Sequence, residues 1–237
     1  MTRVSDVGTS AGEQTRRRRL PWFTEVLVAV VAVALVQAFL VKPFGVPSQS
    51  MEETLNVGDR ILVNRLDDTV DRGDVVVFGH GASWQERRLP PATDPLGKVL
   101  RPVGDLTGIG PSNTSYTVKR VVGLEGEQVA CCTDDGRVTL DGEPLEETYV
   151  FEDHPFSAGT LDCSSSPRSM RCFPEIRVPA GNLLVLGDHR AQSADSVIGC
   201  RGAVDGPECA RFVPVERVVG PVVARFWPLT AVGGLAR

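Results

Sequence analysis

From Val26 to Val41 the chain runs sixteen residues without a charge, and Arg16, Arg17, Arg18 and Arg19 stand just ahead of that run. As an α-helix, sixteen residues span about 24 Å. Counted from Leu20, the stretch reaches about 33 Å, enough for a bilayer core of about 30 Å. Glu25 falls inside the longer count and must sit near the headgroups. Trp22 suits the interface, and Lys42 can snorkel at the far end. Arginines ahead of the span predict a cytoplasmic N-terminus, with everything after Lys42 outside. A cleavable signal peptide shares this charge layout, with Val36-Gln37-Ala38 as its small-residue site, although its apolar region usually runs about 7–15 residues. A buried core helix would not normally carry consecutive arginines beside an all-round apolar face. The expected organisation is a basic tail over 1–19, a transmembrane anchor over 20–41 and an extracytoplasmic body over 42–237.

That body holds 20 basic and 27 acidic residues, a net of −7. Phosphate contacts need a basic patch, so no nucleic-acid partner is expected. Six cysteines fit an oxidising compartment. Six allow fifteen pairings. Cys163 with Cys172, and Cys200 with Cys209, would each close a short loop. Cys131 and Cys132 lie in a strand-like run that would point their side chains to opposite sides, which disfavours a bridge between them. No C-x-x-C pair occurs and no histidine stands at ligand spacing, so neither a metal nor another cofactor is expected.

The body reads as mostly strand, with candidates at Arg60–Arg65, Asp74–Phe78, Tyr116–Val122, Gln128–Cys131, Arg137–Leu140, Leu183–Leu186 and Arg217–Trp227. Asp135-Gly136 and Asp141-Gly142 predict tight hairpin turns. Residues 79–114 are rich in Gly and Pro and read as an insertion, within which Leu96–Leu106 could form a short helix or touch lipid. Residues 152–175 and 197–212 read as two further loops. No long amphipathic helix follows residue 42, and no internal repeat is found.

Of 25 basic residues only Lys42, Lys98 and Lys119 are lysines. Arginine does not give up its proton in a protein, so candidate amine bases are few. Lys42 belongs to the membrane boundary and Lys98 to a loop. Lys119 alone lies in a valine-rich strand, where burial would lower its pKa. Reaching about 7–8 from about 10.4 needs roughly 2–3 units, about 3–4 kcal/mol. The ordinary alternative is a strand-edge lysine facing solvent. Ser48 and Ser50, in Pro47-Ser48-Gln49-Ser50-Met51, are candidate nucleophiles, or simply turn formers beside a proline.

Four segments in order resemble the boxes of bacterial type I signal peptidases. They are Pro47-Ser48-Gln49-Ser50-Met51, Gly73-Asp74-Val75-Val76-Val77-Phe78, Lys119-Arg120-Val121-Val122-Gly123-Leu124-Glu125-Gly126-Glu127, and Gly187-Asp188-His189-Arg190-Ala191-Gln192-Ser193-Ala194-Asp195-Ser196. The likeness is greatest to the single-anchor enzymes of Gram-positive bacteria, especially the high-GC group, and runs from the anchor to about Trp227. It implies a membrane-bound serine endopeptidase with a β-sheet or barrel catalytic domain, acting as a monomer at the bilayer. The implied substrates are preproteins whose signal peptides end in Ala-x-Ala-type sites. By match to the boxes, Ser50 is the nucleophile and Lys119 the general base. Ser48 donates its hydroxyl to the oxyanion hole beside the Ser50 N–H, and Ser193 hydrogen-bonds and orients Lys119. Asp188, Arg190 and Asp195 hold the last box in place, and Met51 packs near the dyad and the pocket for the residue before the cut. Ser50 lies nine positions beyond Val41, close to the bilayer in chain distance.

Several positions depart from the family pattern. Glu53 stands where proline is usual, and Thr117 where an aromatic is frequent. His189, Ala191 and Gln192 interrupt the last box. Val197 replaces a common arginine, so Asp195 needs another basic partner, Arg201 or Arg190. A Ser/His/Asp site using His189 and Asp188 is disfavoured, because sequence neighbours point apart and no Gly-x-Ser-x-Gly elbow exists. A non-catalytic anchored β-domain that binds a surface ligand would explain anchor and cysteines, but not Lys119 or the box order. A self-cleaving Ser/Lys repressor relative would need a DNA-binding helical domain, which is not found.

Overall fold

A computed structural model describes residues 21–67, 69–80, 84, 94–98, 100–101, 115–202 and 206–235. The chain divides into two units, Met1–Val33 and Ala34–Arg237. Helix α1, Trp22–Phe39, is the expected apolar stretch, four residues shorter than 20–41. Trp22, Phe23, Val26, Leu27, Val28, Val30, Val31 and Val33 are all exposed on it. Its length is about 27 Å. Among the described residues no helix is long and apolar enough to cross a membrane.

The regular structure that follows is mainly antiparallel sheet, as expected for a mostly β chain. Its strands are β1 (Val41–Gly45), β2 (Arg60–Asn64), β3 (Val75–Gly79), β4 (Tyr116–Gly123), β5 (Gln128–Cys131), β6 (Val138–Leu140), β7 (Glu143–Pro144), β8 (Phe173–Arg177), β9 (Asn182–Leu186), β10 (Val213–Pro214) and β11 (Val218–Trp227). One sheet has the order β1-β2-β11-β3-β4-β9-β10, the other β7-β6-β5-β8. The run Val75–Phe78 shows why its sequence is continuously apolar. Val75 and Val77 join a cluster with Phe44, Met51, Leu55 and Ile61, while Val76 and Phe78 join another with Trp84, Val121 and Val185. Alternate side chains leave opposite faces of a strand, so both faces of β3 are buried. A third cluster joins β5, β6 and β8 to Leu184 and Leu186 of β9.

Strand β11 serves two neighbours. Its first half pairs with β3 and its second with β2, through register shifts near Gly220 and Ala224. Gly220 has φ +149°, and a Cβ there would run into the Asn64 carbonyl oxygen of β2. That close backbone approach requires glycine.

The expected insertion at 79–114 lies mostly outside the described residues. Of the expected short helix, residues 96–98 and 100–101 are helical and 102–106 fall outside. The segment 152–175 ends in strand β8 rather than remaining a loop throughout. All six cysteines are bridged: Cys163–Cys172, Cys200–Cys209 and Cys131–Cys132. The last corrects the expectation against a vicinal bridge. Strand β5 ends at Cys131, so strand alternation does not extend to Cys132.

Candidate active site

Three pieces of chain converge on Lys119. Strand β4 carries it opposite Val76 of β3. The turn after β1 carries Ser50, and the segment after β9 carries Gly187 to Ser196. Lys119 is 3% exposed, and Ser50 is also buried. The amine donates hydrogen bonds to Ser50 Oγ and, at 3.2 Å, to the Val118 carbonyl. Burial is the largest influence on this amine and brings its pKa from 10.5 to about 8. Asp195 pulls it back up, Arg211 pushes it down, and Asp188 pulls it up. Desolvation disfavours the charged form, so roughly a tenth of the amine is neutral at pH 7 and about half at pH 8. The strand-edge alternative for Lys119 is therefore not what the fold adopts.

Ser48 is exposed, with Oγ 3.4 Å from Ser50 Oγ. Met51 is buried in the cluster beneath the serine turn. Gly187 closes the site from the other side. A Cβ on it would collide with Ser193 Oγ and with the carbonyl oxygen of Ser50. Glycine at 187 thus lets the backbone lie flat against Ser50.

Asp188 ties all three pieces together. It accepts from Arg120 Nε at 2.9 Å and Nη2 at 2.7 Å, and from Thr54 Oγ1 at 2.6 Å. Arg120 lies over the Tyr149 ring at 3.9 Å. The Tyr149 phenol is pushed up, chiefly by burial and then by the Glu147 carboxylate. Arg190 donates to the Gly187 carbonyl at 2.9 Å and pairs with Glu147. Asp195 accepts from the N–H groups of Gly187 and Val197, and its buried partner is Arg201, at 3.2 Å. Of the two arginines expected for Asp195, Arg201 takes the role and Arg190 does not. Val197 is fully buried in the cluster behind β5 and β9, leaving no room for the usual arginine.

One expectation fails. Ser193 is buried, but its Oγ has no hydrogen-bond partner. Lys119 is turned to Ser50 and Val118 instead, while Ser193 packs against Gly187. Residues that sequence reasoning missed are Thr54, Glu147, Tyr149 and Arg211. None lies in the quoted boxes, so box spacing held no signal for them. Arg120 was quoted only as part of its box.

His189 contacts carboxylates on both sides: Glu52 at 3.0 Å from Nδ1 and Glu152 at 3.3 Å from Nε2. Its backbone N–H donates to the Ser50 carbonyl at 3.2 Å. Asp188 is occupied by Arg120. A Ser/His/Asp relay is not assembled. Glu53 has φ +69°. Proline is locked near −65°, so this turn cannot hold the residue usual at that position. Glu53→Pro is expected to lower the melting temperature and to remove most activity, whereas Glu53→Gly keeps both. Thermal unfolding of the two variants checks this; a fully stable Glu53→Pro would show that the turn readily changes shape.

Among the described residues, one group of side chains has metal-ligand proximity: Cys132, Cys163 and Cys172, with sulfurs within 4.8 Å of one another. Each is in a disulfide and offers no thiolate. Two cavities, of about 470 and 420 Å³, are lined by neither Ser50 nor Lys119.

Residues 19–227 match the family model described as "Signal peptidase, peptidase S26". A "Probable signal peptidase I" of Mycobacterium leprae is 32% identical, over 98% of this chain and 86% of that protein. A "Signal peptidase I" of Mycobacterium tuberculosis is 31% identical over 85% and 70% of the respective lengths. Another, from Leptolyngbya laminosa, is 31% identical over 88% and 79%.

Proposed function

Because the chain belongs to the signal peptidase family, peptidase S26, we propose that it removes signal peptides from exported preproteins as a membrane-bound serine endopeptidase using a Ser50/Lys119 dyad. The observation that carries the dyad is the hydrogen bond from a buried, pKa-lowered Lys119 to Ser50 Oγ. A serine hydroxyl is a poor nucleophile until a nearby base takes its proton. Neutral Lys119 takes it as Oγ attacks the scissile carbonyl, and the resulting ammonium gives it to the departing amine. A water activated by the regenerated amine then hydrolyses the acyl-enzyme. The Ser48 hydroxyl and the Ser50 N–H serve the developing oxyanion; one such donor is typically worth about 2.7–4 kcal/mol. Asp188 and Arg190 hold the last box behind the dyad.

We propose that α1, which at about 27 Å falls short of a full bilayer core on its own, serves together with its flanking residues as a single membrane anchor, with the basic tail in the cytoplasm and the β-domain outside. The support is an apolar helix that exposes Val and Leu side chains and follows four arginines. Three disulfides suit the outer compartment. One copy supplies Ser48, Ser50 and Lys119, so a monomer is sufficient for the chemistry.

The purified full chain in detergent is expected to cut a preprotein after its Ala-x-Ala site. Absence of any cut there, with the chain folded, overturns the activity. The anchor predicts membrane association that survives high salt and alkaline wash; a mature N-terminus at Phe39 would show a cleaved signal instead.

A further inference from the structure

We propose that the arm closed by the Cys200–Cys209 bridge is a positioning element for the catalytic lysine, holding Arg201 against the buried carboxylate of Asp195. This rests on the Ser50/Lys119 reading and adds to it a part supplied by the expected loop at 197–212. Asp195 is fully buried and accepts from the N–H of Gly187, the residue that lies against the carbonyl oxygen of Ser50 beside Lys119, and its negative charge raises the Lys119 pKa. An uncompensated carboxylate there would favour the ammonium and take the base out of service. Val197 cannot compensate it, so the positive charge must come from further along the chain.

The arm brings it from both ends. Arg201 follows directly on Cys200, which is 0% exposed, and its side chain is 2% exposed against Asp195. At the other end, two residues past Cys209, Arg211 Nε donates to the Asp195 carbonyl at 2.9 Å and its guanidinium lies 4.1 Å over Trp84. Backbone bonds fix the same stretch: Cys200 N–H to Val197, Gly202 N–H to Cys172 and Arg211 N–H to Ser196. A Cβ on Gly199 would press on the Cys209 carbonyl at 2.8 Å, so the two sides of the arm meet there. The bridge holds these two sides together. Arg201 and Arg211 are positioning residues; neither touches the reacting atoms.

The charged groups around Lys119 are Asp195 and Asp188 from the segment after β9 and Arg211 from the arm. Around Arg201 are Asp195 and His154, with Asp153 and Arg171 beside His154. Burial and the field of Arg201 keep the His154 imidazole below its ordinary value, so it adds little positive charge in the alkaline range.

The test is the pH dependence of kcat/KM for preprotein cleavage by the full chain in detergent. Wild type, Arg201→Lys, Arg201→Met and Cys200→Ala/Cys209→Ala are compared. Arg201→Met and the bridge-free variant are expected to move the rising limb alkaline by about one pH unit, while Arg201→Lys stays with wild type. A merely structural arm would lower melting temperature and total activity without moving the limb. A limb unmoved or moved acid in either shifted variant overturns the proposal, whatever happens to stability. If Arg201→Met does not fold, Arg201→Gln replaces it under the same criterion. Failure of the wild type to cleave is a failure of the dyad reading and is seen separately.

Discussion

Ser50→Ala and Lys119→Met are each expected to abolish preprotein processing while leaving the chain folded. Ser50→Ala removes the only hydroxyl bonded to Lys119 among the described residues. Its loss should cost about 10⁴-fold or more, as removal of a nucleophile does elsewhere. Lys119→Met keeps the length and apolar stem of the side chain but deletes the base, for a loss of about 10²–10⁴-fold or greater. The assay is single-turnover cleavage of a preprotein by each purified variant. Normal processing by Lys119→Met would end the lysine-base mechanism; normal processing by Ser50→Ala would move the nucleophile elsewhere.

Lys119→Met has a second, opposite consequence. With a pKa of about 8 in the fold against 10.5 as the ordinary value, the amine binds its proton less tightly when folded. Below about pH 8 it is charged in both states, and the fold carries the full burial cost of about 3 kcal/mol. Between pH 8 and 10.5 that cost disappears, because the folded chain is already neutral. Lys119→Met should therefore raise the melting temperature at pH 7, less the contribution of the lost hydrogen bonds, and the gain should shrink as pH rises through that window. The same pKa sets wild-type activity, which should climb to about pH 8 and then level.

The strands legible in the sequence and those that were not differ in one physical respect. The seven expected strands correspond to β2, β3, β4, β5, β6, β9 and β11, with ends displaced by one residue or so. The four missed are β1, β7, β8 and β10. They are the four outer edges of the two sheets, and each contains a proline: Pro43, Pro144, Pro174 and Pro214. Proline lacks the N–H that a central strand needs, but an edge strand has one side unpaired and tolerates it. Propensity reads proline as a breaker, so it finds inner strands and misses edges. Ser50 and Lys119 were legible as a candidate pair because their boxes are local, and the fold brings the two side chains together. The partners of those boxes were not: Glu147, Tyr149 and Arg211 reach the site through tertiary packing, and no spacing rule connects residue 211 to residue 195. Arg201 was foreseen only because the missing arginine at Val197 left a charge to be balanced.

Gly187→Ala is expected to cost about 100-fold in kcat, although it adds only one methyl group at a buried position. Gly187 directly follows β9 and lies against Ser50; its N–H donates to Asp195 and its carbonyl accepts from Arg190. The new Cβ meets two obstacles, Ser193 Oγ and the Ser50 carbonyl. The first is a small side chain and can be deleted. The second is backbone of the residue that carries the reacting oxygen, so relief there displaces Ser50 from Lys119. A displacement of about 1 Å is enough for a loss of that size, while overpacking of this kind costs only about 1–3 kcal/mol of stability. Two variants separate the effects. Gly187→Ala alone should be folded, somewhat less stable and nearly inactive. Adding Ser193→Gly removes the side-chain obstacle and should recover stability but not turnover, because the backbone obstacle remains. Wild-type activity in the double variant would mean that Ser193, not the Ser50 backbone, sets how closely β9 approaches the dyad.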